Sequence, residues 1–489
     1  MKKFNICLVG MLLIFSTSCD DFLDINTSPN EPATAPVELV FPTATGSAAY
    51  VIGGWYQILG GMWAQHWTQS TGASQYRNID AYDLQTDFLD DRQYGELYSG
   101  ALKDLEYVKA TAKADGNWSY YLMATVVQSY VYQLLVDLYD KIPFTESLKG
   151  DQEILTPTFD DGQVVYDSLI ARIDDALSRD LTAITVKQPG KDDVLFQGDM
   201  DKWIQFANTL KLKIYIRQST ARPSIASAGI QSLFAAPDFL AEDVSFKAFK
   251  EEEDNRNPVY ETGVNRLAGN ITLSRTLYTY LSDNTDPRLD SIAKYPKNTP
   301  ALHNTLVQGD YLNTAPTNID GLSTPNLKPL DPVYFISASE SYFLQAEAVV
   351  RFGVAGDAAA LYNDGIQASF TKFNVMEDDD GNISTPKVPV LASDYTGTGD
   401  DYEFPADADG QIEAIITQKW IAMANSQGLE AFFEQNRTGY PGFFTPAVNN
   451  VTSNNFPRRL FYPQSERIRN PTNLPEIKPL TEPVWWAAQ

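Results

Sequence analysis

The residues best suited to chemistry are aromatic. Trp55, Trp63, Trp67, Tyr76 and Tyr82 crowd one short stretch, with Gln65, Gln69, Gln75, Arg77 and Asn78 between them. Flat rings offer a sugar ring an apolar face to stack on, and amide and guanidinium groups can hydrogen-bond its hydroxyls. Trp63, Trp67, Tyr76, Arg77, Asn78 and Tyr82 are therefore the candidate ligand-binding residues. The competing reading is that most of these rings are core, where large aromatics usually lie.

Other chemistries find less support. The acidic stretches Glu377–Ile383 and Asp407–Ile412 suggest calcium loops. Setting Gly381 or Gly410 at the sixth position, however, puts Met376 or Pro405 first and Lys387 or Ile416 last, so neither register supplies the terminal oxygen ligands. Both read as solvated acidic loops, and no metal is expected. His66 and His303, the two histidines, lie far apart without cysteine partners, which argues against a zinc centre. No Gly-x-Ser-x-Gly elbow or phosphate-cradling glycine loop occurs, and no carboxylate pair is singled out by spacing. Catalysis and a cofactor are not expected.

The elements that must position these residues belong to a chain of 489 residues with a formal net charge of −26. An acid excess of that size argues against nucleic acid as partner, because phosphate neutralisation needs a basic surface. The apolar fraction of 43% is that of a folded protein, and this length can bury a core without disulfides. Lys2 and Lys3, an apolar run from Ile6 to Phe15 and Ser16-Thr17-Ser18-Cys19 read as a signal peptide over residues 1–18. The run falls short of the roughly 20 residues that span a bilayer. The small residues before Cys19 form a loose lipobox, making Cys19 the expected acylated first residue of the mature chain. Residues 19–42, with Pro29, Pro32 and Pro36, read as an extended tether, and 43–489 as a single domain.

Apolar residues then recur at helical spacing. Leu97, Ala101, Leu105 and Val108 mark one helix, and Leu122, Val126, Tyr130, Leu134 and Leu138 a second that ends before Ile142-Pro143. Val165, Leu169, Ile173 and Ala176 mark a third, and Trp203, Phe206, Leu210 and Ile214 a fourth. On this fourth helix Lys211, Lys213 and Arg217 lie toward the C-terminus, where cations suit the helix dipole. Ser341–Phe352 should stop at Gly353, with Asp357 capping the next helix through Tyr362, Ile366 and Phe370. Ile412, Ile415, Ile416 and Trp420 open a further helix, with Phe432 and Phe433 expected on its continuation. Paired helices with short glycine turns predict an all-α fold of tetratricopeptide-like hairpins. Residues 65–91, 246–332 and 376–410 read as irregular, and would form a loop-rich face.

The order of short segments is also informative. Cys19-Asp20-Asp21-Phe22-Leu23-Asp24-Ile25-Asn26 with Pro29-Asn30, Asp137–Phe144, the Trp203-led helix and Asp286-Pro287-Arg288-Leu289 occur in turn. They are followed by Glu340, Ala346-Glu347-Ala348, Gln418-Lys419-Trp420, Glu430-Ala431-Phe432, Arg437–Pro441, Arg458-Arg459-Leu460, Tyr462-Pro463 and Val484-Trp485-Trp486. Together they resemble the SusD/RagB family of outer-membrane lipoproteins of Bacteroidota, in its SusD-like group with a divergent middle. Trp203 and Trp420 would pack helix pairs, and Glu430 and Arg437 would pair near a helix end. Asp140 stands where a glycine is expected in the turn before Ile142.

The resemblance implies an all-α body of helical-hairpin repeats tethered to the cell surface by lipid. It implies capture of a nutrient, an oligosaccharide or a peptide, and delivery to a SusC-like TonB-dependent transporter. It assigns no ligand residue. A surface glycoside hydrolase and a structural adhesin are the rival readings.

Overall fold

The computed structural model describes residues 35–84, 91–183, 187–312, 318–378 and 387–487. The leader, Cys19, the Asp20–Asn26 segment and most of the acidic 377–383 loop lie outside these residues. Ala35 N donates to Tyr107 Oη at 3.0 Å, and Tyr107 Oη donates to Ala35 O at 2.8 Å.

Helices dominate, and the longer ones are labelled in chain order: α1 Val37–Ile52, α2 Trp55–Trp63, α3 Lys103–Asp115, α4 Trp118–Tyr139, α5 Gly162–Leu177 and α6 Met200–Arg217. They continue with α7 Pro223–Phe234, α8 Arg275–Asp283, α9 Ala338–Phe352, α10 Ala358–Lys372, α11 Ala408–Ala422 and α12 Gly428–Thr438. Short turns join α3 to α4, α9 to α10 and α11 to α12, and each pair packs together as a hairpin. Strands are short and form two-stranded antiparallel ribbons among the described residues. No described helix is long and apolar enough to cross a membrane.

The turns follow from local chemistry. Gly116 and Gly353 end α3 and α9 at φ 69° and 60°, a conformation that costs glycine little. Side chains of Asn117, Asp199, Ser337, Asp357 and Asp407 accept the free amides opening α4, α6, α9, α10 and α11. Asp407 is thus a helix cap.

Two boundaries differ from expectation, and the turn at Asp140 is altered locally, as the missing glycine implied. The body starts at Val37, not residue 43, because Phe41 is buried against Tyr120 of α4 and Trp203 of α6. Phe432 and Phe433 lie on a separate helix, since the chain turns at 423–427 between α11 and α12. Asp140 adopts φ 74°, ψ −62°, and Lys141 N donates to Tyr139 O at 3.0 Å, closing a strained γ-turn. Its carboxylate compensates by accepting from Trp485 N at 2.7 Å, which ties down the C-terminal tail.

Helix α4 is buried at every position after Trp118, so it runs through the centre of the body. Around it, charges are buried as well as apolar groups. Lys213 Nζ lies 2.9 Å from Glu340 and 2.8 Å from Glu430. Arg217 reaches Asp137, Glu430 and Glu434, while Arg437 grips both oxygens of Glu347 at 2.7 Å and also meets Glu434. Lys213 and Arg217, in the C-terminal part of α6, therefore face inward. Glu430 and Arg437 share a network but do not pair: Glu430 serves Lys213 and Arg217, and Arg437 serves Glu347 and Glu434.

The network holds the carboxyls of Glu347, Glu430 and Glu434 below the ordinary glutamate range, because the surrounding cations outweigh desolvation. A depressed carboxyl stabilises the fold above its unfolded pKa and loses that contribution as pH falls through its folded one. Acid unfolding should accordingly set in below about pH 4.5, the unfolded value of these glutamates. Arg437→Met leaves Glu347 and Glu434 buried with too few counter-charges, and should cost about 3–5 kcal/mol in urea unfolding at pH 7. A loss below about 1 kcal/mol would contradict this role.

Candidate ligand-binding face

The irregular segments meet over the ends of α2, α11 and α12. Residues 67–69 pair antiparallel with 271–273, and 293–294 pair with 324–325. Beneath them α2 and α12 touch backbone to backbone: a Cβ on Gly60 would stand 2.1 Å from Leu429 N, and one on Gly428 2.3 Å from Gly61 N. Only glycine permits that approach.

This packing decides the fate of the aromatic cluster. Trp63 donates to Ile79 O at 3.0 Å and leans on Phe432. Trp67 is fully buried and donates to Asn425 Oδ1 at 3.1 Å. Tyr76 and Tyr82 are buried too, and the Tyr82 hydroxyl accepts from Ala447 N at 3.2 Å. These four rings are core and present no face to a ligand as they stand. The amides between them are internal braces: Gln65 donates to Thr445 O at 2.6 Å, and Gln69 Oε1 accepts from Tyr76 N at 2.8 Å. Arg77 and Asn78 stay half-buried, with the Arg77 guanidinium 5.2 Å above the half-buried ring of Tyr311.

Two buried titratable groups brace the same region. Asp80 accepts from Thr68, Gln69 N and Gln308 at 2.6–2.9 Å, and burial pushes its carboxyl up to about 6. His66 stacks on Trp420 at 5.5 Å and bonds to Trp420 O at 2.9 Å. Burial lowers the His66 pKa to about 3, so the imidazole is neutral and structural.

The exposed ring of interest is Tyr295, which the sequence reading did not single out. It is 38% exposed and lines a cavity of about 250 Å³. One face stacks on His303 at 4.1 Å and 17°, and its hydroxyl donates to Asp290 Oδ1 at 2.7 Å. His303 Nδ1 lies in turn 2.9 Å from Ser323 Oγ. With one face covered, the exposure of the ring belongs to the opposite face and its edge. Ile271, Leu322 and Leu327 supply an apolar wall to the cavity, while Lys294, Lys297 and Asp320 supply polar groups. An immobilised ring beside such groups can stack a sugar and bond its hydroxyls. No spacing in the sequence joins Asp290, Tyr295 and His303; only the 293–294/324–325 ribbon and the Asp290 hydrogen bonds do.

Fold and face together describe a mainly helical body of packed hairpins with a loop-rich face. The family described as "Starch-binding associating with outer membrane" (SusD-like_2) matches residues 31–463, and the chain belongs to this SusD-like family. No curated protein matches the sequence. Solved structures share the fold. A SusD homologue of Bacteroides uniformis has TM-score 0.74 at 22% identity, covering 92% of this chain and 99% of its own. A SusD-like protein of Bacteroides thetaiotaomicron has TM-score 0.71 at 23% identity, covering 90% and 94%. A chitin-binding SusD homologue of Flavobacterium johnsoniae has TM-score 0.71 at 21% identity, covering 92% and 98%.

Trp67→Ala should lower stability by about 3–5 kcal/mol, the scale of emptying a buried tryptophan site, whereas Tyr295→Ala should cost under about 1 kcal/mol. Equal losses by chemical denaturation would contradict the assignment of one ring to the core and the other to the surface. His66 adds a pH signature. Its folded pKa lies below its unfolded one, so the unfolded state binds the extra proton and stability falls as pH drops from 6.5 toward about 3. His66→Gln should flatten the upper part of that slope.

Proposed function

We propose that this chain is a surface nutrient-capture protein that binds an oligosaccharide on the Tyr295 face and releases it intact to a SusC-like TonB-dependent transporter. Cys19 would carry the lipid that holds the protein at the outer membrane. The observation that carries the reading is Tyr295, locked between His303 and Asp290 with ring surface left open on a cavity. The family description and the chitin-binding relative support a glycan as ligand.

The proposed role is binding without bond cleavage. The ring is already ordered by its stack and hydrogen bond, so little rotamer entropy is lost when ligand arrives. A cavity of about 250 Å³ is small for a ligand pocket and suits one sugar residue, with the rest of a chain lying across the rim. Modest affinity suits a ligand that must be passed on, since tight retention would slow delivery.

Calorimetric titration with chito- and malto-oligosaccharides should show saturable binding, weakened roughly tenfold by Tyr295→Ala, the scale of one lost stacking contact. Saturable binding of peptides with no response to any glycan would replace this reading by peptide capture. Cys19→Ser should move the folded protein from the membrane to the soluble fraction, and its retention in the membrane would contradict the anchor.

A further inference from the structure

A second cavity, of about 240 Å³, adjoins the first. Both are lined from the segments 290–297 and 324–331, and Asp290 on the second accepts the hydroxyl of Tyr295 on the first. Its wall carries Lys372, the last residue of α10. That ammonium donates to Ala422 O at 2.8 Å and Ser426 Oγ at 2.6 Å, and lies 4.4 Å from the centre of the Tyr334 ring.

What sets Lys372 apart is its missing counter-charge. Lys213 and Lys419 are buried, and each faces two glutamates within 4 Å, whereas Lys372 is half-buried. Among the described residues no carboxylate comes within that distance of Lys372, in a chain with 63 acidic residues. Its hydrogen-bond acceptors are neutral and two of its three protons are used, while Asp243 and Glu340 act on it only from beyond ion-pair distance, so the ammonium is incompletely compensated. Burial lowers its pKa to about 8, so at neutral pH most molecules still carry the charge.

The rest of the lining suits hydroxyls. Asp290 has one oxygen engaged by Tyr295, and the amide side chain of Asn374 and the amine of Lys328 also line the cavity. Asp331 faces it as well, with Oδ2 accepting from Lys328 N at 2.7 Å. The combination is two cations, Lys372 and Lys328, and two carboxylates, Asp290 and Asp331, next to an aromatic platform.

We infer that this cavity receives the carboxylate of an acidic sugar residue, a uronate, with Lys372 as its counter-ion and Asp290 accepting from its hydroxyls. The inference rests on the oligosaccharide reading above and narrows it to acidic glycans. A charge-assisted contact of this kind contributes roughly tenfold or more in affinity.

The test is calorimetry on the full chain in detergent, with trigalacturonate and its methyl ester, which keeps the shape and removes the charge. Trigalacturonate should bind at least tenfold more tightly than the ester. Lys372→Gln should abolish that preference by weakening the acid at least tenfold more than the ester, and Lys372→Arg should restore it. The wild-type comparison stands even if a variant folds poorly. Equal affinity for acid and ester would overturn the inference, as would a Lys372→Gln variant that weakens both alike. If neither binds while neutral chito-oligosaccharides do, the acidic specificity fails and oligosaccharide capture stands. If acidic peptides bind and no glycan does, both fail.

Discussion

The architecture depends on a set of charges removed from water. Lys213 and Arg217 on α6 are held by Asp137 on α4, Glu340 on α9, and Glu430 and Glu434 on α12. Arg437 on α12 reaches back to Glu347 on α9, and Lys419 brings in α11. Ion pairs in a dry interior tolerate little displacement, because a carboxylate that loses its cation is left desolvated and alone. Apolar side chains would let these helices slide by a fraction of a turn. The network instead admits one register, and the C-terminal tail joins it through Trp486, which donates to Asp137 Oδ1 at 2.8 Å. Helix α12, so fixed, presents Gly428 to Gly60 of α2, and the loops of the proposed binding face rest on that contact.

A rigid foundation suits a surface built from loops. The segment after α2 has little regular structure, yet buried polar groups order it. Asp80 and Gln308 link the strand 67–69 to a loop more than 200 residues away, and Gln308 also donates to the carbonyls of Met62 and Trp67 at 3.1 Å. Arg288 does the same on the other flank, binding Asp286, Ser369 and Gln418 with no exposure to solvent. Loops held this way can present Tyr295 and Lys372 in fixed positions, so a ligand need not pay to order them.

Much of this was legible in the sequence, for identifiable reasons. Helical periodicity located α4, α5, α9 and α10 because each buries one stripe or its whole surface, and glycine and aspartate at the turns marked their ends. Many residues of the family-like segments proved to belong to the network or touch it: Asp137, Glu340, Glu347, Lys419, Glu430, Arg437 and Trp486. Lys213 and Arg217 do lie toward the C-terminus of α6, as the sequence indicated, but the pattern could not name their ion partners, which lie up to 217 residues away. Trp63 and Trp67 were misjudged for a related reason. Stacking ability is a property of the side chain, but exposure is decided by what packs above it, here Phe432, Asn425 and the glycine contact of two distant helices. Tyr295 and Lys372 left no trace in local pattern, since their significance comes from neighbours contributed by other segments.

The central claim is that the exposed ring of Tyr295, on this ion-braced scaffold, is where a sugar is held. A crystal structure with bound oligosaccharide tests it most directly. The account predicts electron density for a pyranose stacked on the face of Tyr295 opposite His303, with the protein backbone unmoved. A well-ordered glycan bound elsewhere, with that ring bare, would contradict it.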